Sequence, residues 1–488
     1  MTRSMPLHRT DVAAIELLEI PEWRAQIIER ARSGMRPLTL YGRRDGERVI
    51  VTAVLQRNDL MRVLRTSVDP ATGYHELTTE LPELHCFERE LHEQHGVRIA
   101  GHPWLKPIRF EGQDQAAMNA YPFYRVDGKE VHEVAVGPIH AGVIEPGSFR
   151  FMCFGEHVLH LEIHLGYQHR GVEARLLQRD PLRLAPWVET IAGDTSVAYA
   201  WAYAAAVESL TGWDSDPDTE LARGVALELE RIAMHLAGLS GLAADVGFLP
   251  GASTYGRLRT TAINTTMRLC GSRFGRGAIR PGGNGMQLHF ALADVVRANL
   301  ELMREDLAVI DECFLSARSV RHRLAGVGVV SQDTARQLGL VGMIARTSGL
   351  EIDARSPGQG AFATPPIKIC GETTGDCWAR ARLRISEIDA SLSWLEAVMS
   401  GSREWAARRT VLPSLGPSQL VISVVEGWRG EVVHCLETDM AGALVHYKVQ
   451  DPSLRNWMGL ALAVRGNEIS DFPICNKSFD LSYCGNDL

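Results

Sequence analysis

The stretch DPDTELARGVALELERIAMHLAGL, residues 216–239, decides the fold of the larger part of this chain. Asp216 and Pro217 are typical of the start of a helix, and apolar residues follow them at three- and four-residue steps. Residues 286–315 and 385–399 repeat this pattern. Because helices of this length and apolarity pack against one another, the sequence predicts a helical bundle.

The composition is that of an ordinary globular protein with more than one domain. The 488 residues are 45% hydrophobic and 23% charged, and their formal net charge of −8 argues against nucleic-acid binding. No apolar run reaches the roughly 18 residues that span a bilayer, so we expect any membrane association to come through partner subunits. The nine cysteines include no C-x-x-C pair and are interpreted as reduced thiols of a cytoplasmic protein.

The N-terminal part has a different pattern. Residues 38–54 alternate between apolar and polar side chains on either side of Asp45-Gly46, which predicts a β-hairpin. The following segment RNDLMRVLRTSV, residues 57–68, is interpreted as a short amphipathic helix. The polar residues 111–132 are interpreted as a linker. The predicted fold class is therefore α+β, with a small α+β domain before a mainly helical one that also has peripheral strands.

Two polar clusters are candidate sites. The first is the densest cluster of histidines in the chain. We interpret it as a polar strand face and not as a metal site, because no second cluster of possible ligands accompanies it. Its members are His157, His160, His164 and His169. In the second, Glu228, Arg231 and His235 share one face of the helix at 216–239, and they would form a charge network if buried.

Several motifs carry a family resemblance. The segment ELPELHCFERELHEQHGVRIAGHPWLKPIRF (80–110) resembles the 30 kDa-type subunit of respiratory complex I. The segments VGPIHAG (136–142) and LGYQHRGVE (165–173) resemble the 49 kDa-type quinone-site subunit, which is homologous to the large subunit of [NiFe] hydrogenases. Further matches to that subunit are LELERIAMHL (227–236), IRPGG (279–283), DAR (353–355) and NEISDFPICNKSFD (467–480).

Both patterns in one chain resemble the large subunits of formate hydrogenlyase and hydrogenase-4, of the component G type. The resemblance implies a 30 kDa-like α+β domain over 1–110, the linker over 111–132, and a hydrogenase-large-subunit-like helical domain over 133–488. It also adds Arg355 to the structural network of Glu228, Arg231 and His235.

Catalytic members of that family hold nickel and iron through two C-x-x-C motifs, because soft thiolates bind nickel strongly. By the resemblance, the first pair corresponds to Ala192 and Thr195, and the second to Ser482 and Gly485. Cys484 is one position out of register. The sequence therefore predicts no [NiFe] centre, no other metal and no cofactor held by this chain itself.

In complex I the corresponding cavity binds a quinone headgroup between a histidine and a tyrosine. These two positions fall here on Ile144 and Gly193, while Asp245 matches the carboxylate that partners the quinone histidine. The cavity-lining residues implied by the resemblance lie within 140–145, 192–195 and 480–484, namely His140, Ile144, Ala192, Gly193, Thr195, Asp480, Ser482 and Cys484. Candidate proton-handling residues, for which a pocket of this kind predicts raised pKa values, are Asp245, Asp194 and Glu145.

The predicted function is that of a peripheral subunit on the cytoplasmic side of the membrane, in a complex-I-like or hydrogenase-4-like oxidoreductase. It would take part in electron transfer coupled to proton or ion translocation, with a quinone as the candidate ligand of its cavity. The implied partners are an iron–sulfur small subunit with a [4Fe-4S] cluster and ion-translocating integral membrane subunits. The alternative is a non-catalytic scaffold that keeps the hydrogenase shape in order to assemble or couple such a complex.

Overall fold

The computed structural model describes residues 4–113, 115–140, 144–355, 358–401 and 404–488. Within these ranges helices and sheets are mixed, which confirms the predicted α+β class. The α-helices are α1 (Ile20–Arg32), α2 (His85–His95), α3 (Gln115–Asn119), α4 (Val172–Leu177), α5 (Ala185–Val188), α6 (Ser196–Thr211), α7 (Pro217–Asp245), α8 (Leu249–Cys270), α9 (Phe290–Ser316), α10 (Arg318–Leu324), α11 (Gln332–Gln337), α12 (Gly342–Thr347), α13 (Cys377–Ser400), α14 (Pro452–Ala463), α15 (Phe472–Phe479) and α16 (Tyr483–Asp487). The strands are β1 (Leu7–Asp11), β2 (Leu17–Leu18), β3 (Arg36–Asp45), β4 (Arg48–Arg57), β5 (Leu60–Val68), β6 (Tyr74–His75), β7 (Ile99–Ala100), β8 (Val131–Val136), β9 (Ser148–Phe154), β10 (His157–His164), β11 (Ile279–Arg280), β12 (Gly283–Asn284), β13 (Arg408–Arg409), β14 (Gln419–Glu426), β15 (Glu431–Thr438) and β16 (Leu444–Gln450).

The first sheet has the strand order β2-β5-β4-β3, and its hairpin at Asp45-Gly46 confirms that prediction. The predicted helix over residues 57–68 is wrong, because β5 occupies this segment. Asn58, with φ of 55°, lies in the two-residue turn from β4 to β5. Strand β5 is covered on both faces, with Leu64 in one apolar cluster and Met61 in another. Apolar residues on both faces hide the period of two by which a half-exposed strand is recognised.

The N-terminal and C-terminal parts of the chain share a second sheet. Strand β1 pairs antiparallel with β14 in a sheet of order β1-β14-β15-β16. The segment interpreted as a linker contains α3 and the buried Tyr121. The Tyr121 ring stacks on His164 at a centroid separation of 4.5 Å, and its hydroxyl donates to Glu162 at 3.2 Å. Residues 111–132 are therefore packed partly against β10.

Long helices form the core of the larger part, as predicted. Asp216 caps α7 by accepting a hydrogen bond from the backbone N–H of Thr219 at 2.9 Å, and Pro217 is its first residue. Helix α7 packs against α6, α8 and α13. Because these neighbours cover it, even charged residues of α7 such as Arg223 and Glu228 are fully buried.

The predicted histidine cluster is dispersed. His157 is exposed, His160 faces Arg465 at 2.9 Å, and His164 is buried in an aromatic group. Glu162, on the same strand face, pairs with Lys106. His160, Glu162 and His164 therefore each have a partner or a packing role within the protein.

Candidate functional site

The short loop before α6 places Asp194 against Arg429. Nη1 and Nη2 of Arg429 donate to the two carboxylate oxygens of Asp194 at 2.8 and 2.7 Å, and the Trp428 indole donates to its backbone carbonyl at 3.1 Å. Burial would raise the pKa of Asp194, but Arg429 and its hydrogen bonds lower it below its ordinary value. The expectation of a raised pKa for Asp194 was therefore wrong, and this side chain is an anion.

Arg429 also contacts the C-terminal segment. Its Nε donates to the backbone carbonyl of Asp480, which ends α15 in the left-handed region with φ of 57°. The carboxylate of Asp480 lies 3.8 Å from the guanidinium of Arg384. Burial raises the pKa of Asp480, and the nearby guanidiniums oppose this shift. Arg429 thus joins the predicted regions 192–195 and 480–484.

Ser482 and Gly485 have structural roles in the tail. The Ser482 hydroxyl caps α16 by accepting from the backbone N–H of Gly485 at 2.9 Å. A Cβ atom on Gly485 would lie only 2.2 Å from Oδ2 of Asp451. That carboxylate is held by the Tyr199 hydroxyl at 2.6 Å and by the backbone N–H of Ser453 at 2.7 Å. The position therefore has no room for any side chain.

Glu145 contacts the tail beside Cys484. Its Oε2 accepts from the backbone N–H groups of Tyr483 and Cys484 at 3.2 and 3.3 Å. Burial, together with Glu145, raises the pKa of the Cys484 thiol to about 12. The thiol is protonated at neutral pH, and its Sγ lies 3.5 Å from the Ser482 hydroxyl.

The remaining predicted residues lie around this centre. Asp245, at the end of α7, pairs with Lys477 of α15 at 2.5 Å, and its Oδ2 is buried without a partner among the described residues. The His140 ring packs edge-on against Phe149, and Ile144 packs against the main core. Residues 141–143 of the predicted stretch 140–145 lie outside the described residues. Within the described chain, no hydrogen bond or ion pair joins Asp245 or His140 directly to Asp194 or Arg429.

The predicted network of Glu228, Arg231, His235 and Arg355 is assembled and fully buried. Its centre is Glu387 of α13, which accepts from Arg231 and, at 2.8 Å, from Nε2 of His235. Arg355 lies 3.2 Å from Glu228. Burial lowers the pKa of His235 to about 4, and Glu387 opposes this shift, so the imidazole is neutral and its Nε2 carries the proton.

This network supports the turn that carries Arg429. Nη1 of Arg231 donates to the backbone carbonyl of Gly427 at 2.7 Å, in the turn between β14 and β15. A Cβ atom on Gly427 would lie 3.2 Å from Cγ2 of Thr195, so the turn and the start of α6 approach closely. The buried charges of α7 and α13 thereby fix where Arg429 meets Asp194.

Sequence reasoning missed Arg429, Glu387 and Glu230. Glu230 of α7 accepts from the backbone N–H groups of Val197 and Ala198 at 2.7 and 3.3 Å, at the start of α6. Burial raises its pKa to about 8, although these donors lower it. A signal for Arg429 was present in EGWRGE (426–431), where a turn between two apolar strands holds an arginine.

Comparisons with known proteins agree with the predicted resemblance. Residues 245–415 match the family model of the respiratory-chain NADH dehydrogenase 49 Kd subunit. Formate hydrogenlyase subunit 5 of Escherichia coli is 26% identical over 441 residues, which cover 85% of this chain and 77% of that protein. Hydrogenase-4 component G of the same organism is 26% identical over 435 residues, covering 84% and 75% respectively. This chain is a homologue of both proteins.

Other homologues extend the group. The membrane-bound hydrogenase subunit alpha of Pyrococcus furiosus is 27% identical over 364 residues, covering 71% of this chain and 85% of that protein. Several NADH-quinone oxidoreductase D subunits are also similar. The relatives of this chain are thus subunits of membrane-bound hydrogenases and of NADH-quinone oxidoreductases. None of the helices in the described part of the chain is long and apolar enough to cross a bilayer.

The side chains at the positions assigned to nickel ligands do not fit a centre held by four thiolates. Ala192 and Thr195 carry no sulfur, Ser482 caps a helix, and Gly485 faces a fixed carboxylate. Cys484 offers a protonated thiol. Among the residues that the structure describes, no three His, Cys, Asp or Glu side chains form a group that could hold a metal ion.

Proposed function

We propose that this chain is a peripheral subunit of a membrane-bound, complex-I-like or hydrogenase-4-like oxidoreductase, acting in electron transfer coupled to proton or ion translocation. It would lie on the cytoplasmic side, bound to an iron–sulfur small subunit and to ion-translocating membrane subunits. The names of its homologues support this assignment. We further propose that residues 1–110 form the 30 kDa-like part and residues 133–488 the hydrogenase-like part of one fused chain.

We propose that the chain works without a [NiFe] centre of its own. One observation carries this proposal: a charge-paired site, Asp194 with Arg429, stands where the resemblance places the first thiolate pair. The packing of Gly485 against Asp451 supports it, because a cysteine at 485 would displace a carboxylate that is held by two hydrogen bonds.

The site would handle protons through carboxyl groups whose pKa values are raised. Burial raises the pKa of Glu230 to about 8 and also raises the pKa of Asp480, which makes both carboxyl groups candidate proton carriers. Glu230 binds the start of α6 just after Asp194, and the backbone carbonyl of Asp480 binds Arg429. Asp194 would instead act as a fixed anion that orients Arg429. Asp245 and Glu145 remain candidate proton-handling residues on the evidence of the resemblance.

The candidate ligand is a quinone, with the [4Fe-4S] cluster of the partner subunit as the electron donor or acceptor. The Nε2 atom of His140 is buried without a hydrogen-bond partner among the described residues, so it is free to bind a carbonyl oxygen of such a ligand. This histidine differs from the position at which the complex I family binds quinone, which here is Ile144.

The rival function is a non-catalytic scaffold. It is favoured by the extent of charge pairing, since Arg429 and the charges around Glu387 are paired within the protein. Such a network can hold a shape without reacting.

The intact purified complex separates the two functions. Asp480→Asn should lower proton-coupled electron transfer to a soluble quinone about 10²-fold, because a positioned proton carrier contributes that much. The matched control is Asp127→Asn, an exposed aspartate that is not among the predicted site residues. If Asp480→Asn assembles normally and retains full activity, the scaffold function replaces the catalytic one.

A further inference from the structure

Helix α9 has apolar residues on two opposite faces. The inner face packs against α8 and α13 and is fully buried; it comprises Ala293, Val296, Leu300, Met303, Leu307, Ile310 and Phe314. The outer face also carries large apolar side chains, with Val295, Leu302 and Val309 exposed to 38%, 50% and 67%. A helix at the surface of a globular protein normally has one apolar face only.

The exposed apolar residues form a regular row, which we call the α9 seam. Its members are Ala291, Val295, Ala298, Leu302, Val309 and Cys313. Their steps of four, three, four, seven and four residues follow a heptad pattern, the spacing by which one helix receives another. At 1.5 Å per residue the seam is about 33 Å long. The described chain places no other element on it.

One edge of the α9 seam is uniformly acidic. Asp294, Glu301, Glu305 and Glu312 recur there at steps of seven, four and seven residues, and all are exposed. Asp294 pairs with Arg297 on its own helix. The three glutamates have no hydrogen bond or ion pair within the described residues. Like charges in a row repel one another and are costly unless an opposite charge meets them.

We propose that the α9 seam docks an amphipathic helix of a partner subunit that carries lysine or arginine along the edge facing these acids. Apolar side chains of that helix would fill the seam, and its basic side chains would pair with Glu301, Glu305 and Glu312. This inference goes beyond the proposed function, because it concerns α9 and not the Asp194–Arg429 pair.

The charges argue against two other occupants. In a two-fold antiparallel pairing with a second copy, the same edges meet, so the acidic row would face itself. An anionic membrane surface attracts basic amphipathic helices and repels an acidic edge. A basic helix from another polypeptide is the occupant that removes both the apolar exposure and the unpaired charge.

The native Cys313 provides the first test, because it lies on the seam and is exposed in the free chain. The intact complex and the free chain are treated with a maleimide, and labelling of Cys313 is quantified by mass spectrometry. The rate should fall at least tenfold in the complex. Met440→Cys, in an exposed turn, gives the reference rate. Equal labelling rates of Cys313 in the complex and in the free chain would overturn the docking proposal but leave the proposed function standing. A chain that purifies without any partner subunit would overturn both.

Cross-linking identifies the occupant. With p-benzoylphenylalanine at position 302, the intact complex should yield a cross-link to a helical segment of another polypeptide that is rich in lysine or arginine. A cross-link to lipid or to a second copy of this chain would overturn the proposal. The Glu305→Lys variant should dissociate from that partner at a lower salt concentration than wild type, whereas the control variant Glu47→Lys, at an exposed position, should dissociate at the wild-type concentration. If the two variants dissociate at the same salt concentration, the charge argument is contradicted.

Discussion

Replacing Arg429 tests the contact that joins the start of α6 to the C-terminal segment. Its guanidinium donates two hydrogen bonds to Asp194 and one to the carbonyl of Asp480, and only 6% of its side chain is exposed. Breaking a fully buried ion pair costs about 3–5 kcal/mol. Because the Asp194 side chain is 37% exposed, water can hydrate its carboxylate once Arg429 is replaced and so offset part of the lost interaction. We therefore expect Arg429→Met to lower the free energy of unfolding by about 2–3 kcal/mol and Asp194→Asn to lower it by about 1–2 kcal/mol.

A double-mutant cycle isolates the pair itself. Unfolding of the full chain in urea, followed by far-ultraviolet circular dichroism, gives the free energies for wild type, both single variants and the double variant. The double variant should lose about 1–2 kcal/mol less than the sum of the singles. The exposed pair Arg32–Glu80 is the matched control, with an expected coupling below about 0.5 kcal/mol. A coupling at Asp194–Arg429 no larger than in this control would refute the reasoning.

Three further outcomes follow from the packing and the charges. Gly485→Ala should lower the free energy of unfolding by about 2–3 kcal/mol, because the new Cβ would lie 2.2 Å from a carboxylate oxygen of Asp451. The control is Gly193→Ala, whose Cβ would lie 3.8 Å from its nearest neighbouring atom and which should change that free energy by less than about 0.5 kcal/mol. Because the pKa of Glu230 is raised to about 8 in the folded protein, its ionisation destabilises the fold as the pH rises above about 4.5. The free energy of unfolding of Glu230→Gln should therefore rise relative to wild type by more than about 1 kcal/mol between pH 5 and pH 8. A difference between the two proteins that does not change with pH would contradict the raised pKa. Arg346 pairs with the buried Glu426 and Glu387, and within the described part of the chain only Glu387 keeps another cation, Arg231, when Arg346 is replaced. Arg346→Met should therefore lower the free energy of unfolding in urea by about 3–5 kcal/mol, against less than about 1 kcal/mol for the exposed Arg32→Ala.

The long helices were predictable because their signals are local. The cap at Asp216 and the apolar spacing of α7 are contained within one helix, so no distant contact was needed to predict them. Strand β5 was not predictable in the same way. The tertiary structure covers both of its faces, and that burial cannot be read from a segment whose apolar residues also suit a helix.

In the candidate site, too, patterns within one helix were predictable and contacts between distant elements were not. Helical spacing was enough to predict that Glu228, Arg231 and His235 share one face of a helix. Glu387, which lies at the centre of their network, comes from a helix about 150 residues later in the chain. Arg429 reaches Asp194 only because two strands and a turn place it there. Pairings that depend on the meeting of distant elements leave no periodic trace in the sequence.

The central proposal is that Asp194 and Arg429 form a charge-paired site where the resemblance places the nickel ligands of hydrogenases. Metal analysis of the intact, active complex, with nickel quantified against the amount of this chain, tests the claim most directly. The account predicts that nickel stays at background while the iron of the partner's cluster is present in full. One nickel ion per chain, retained through purification and lost together with activity, would contradict it.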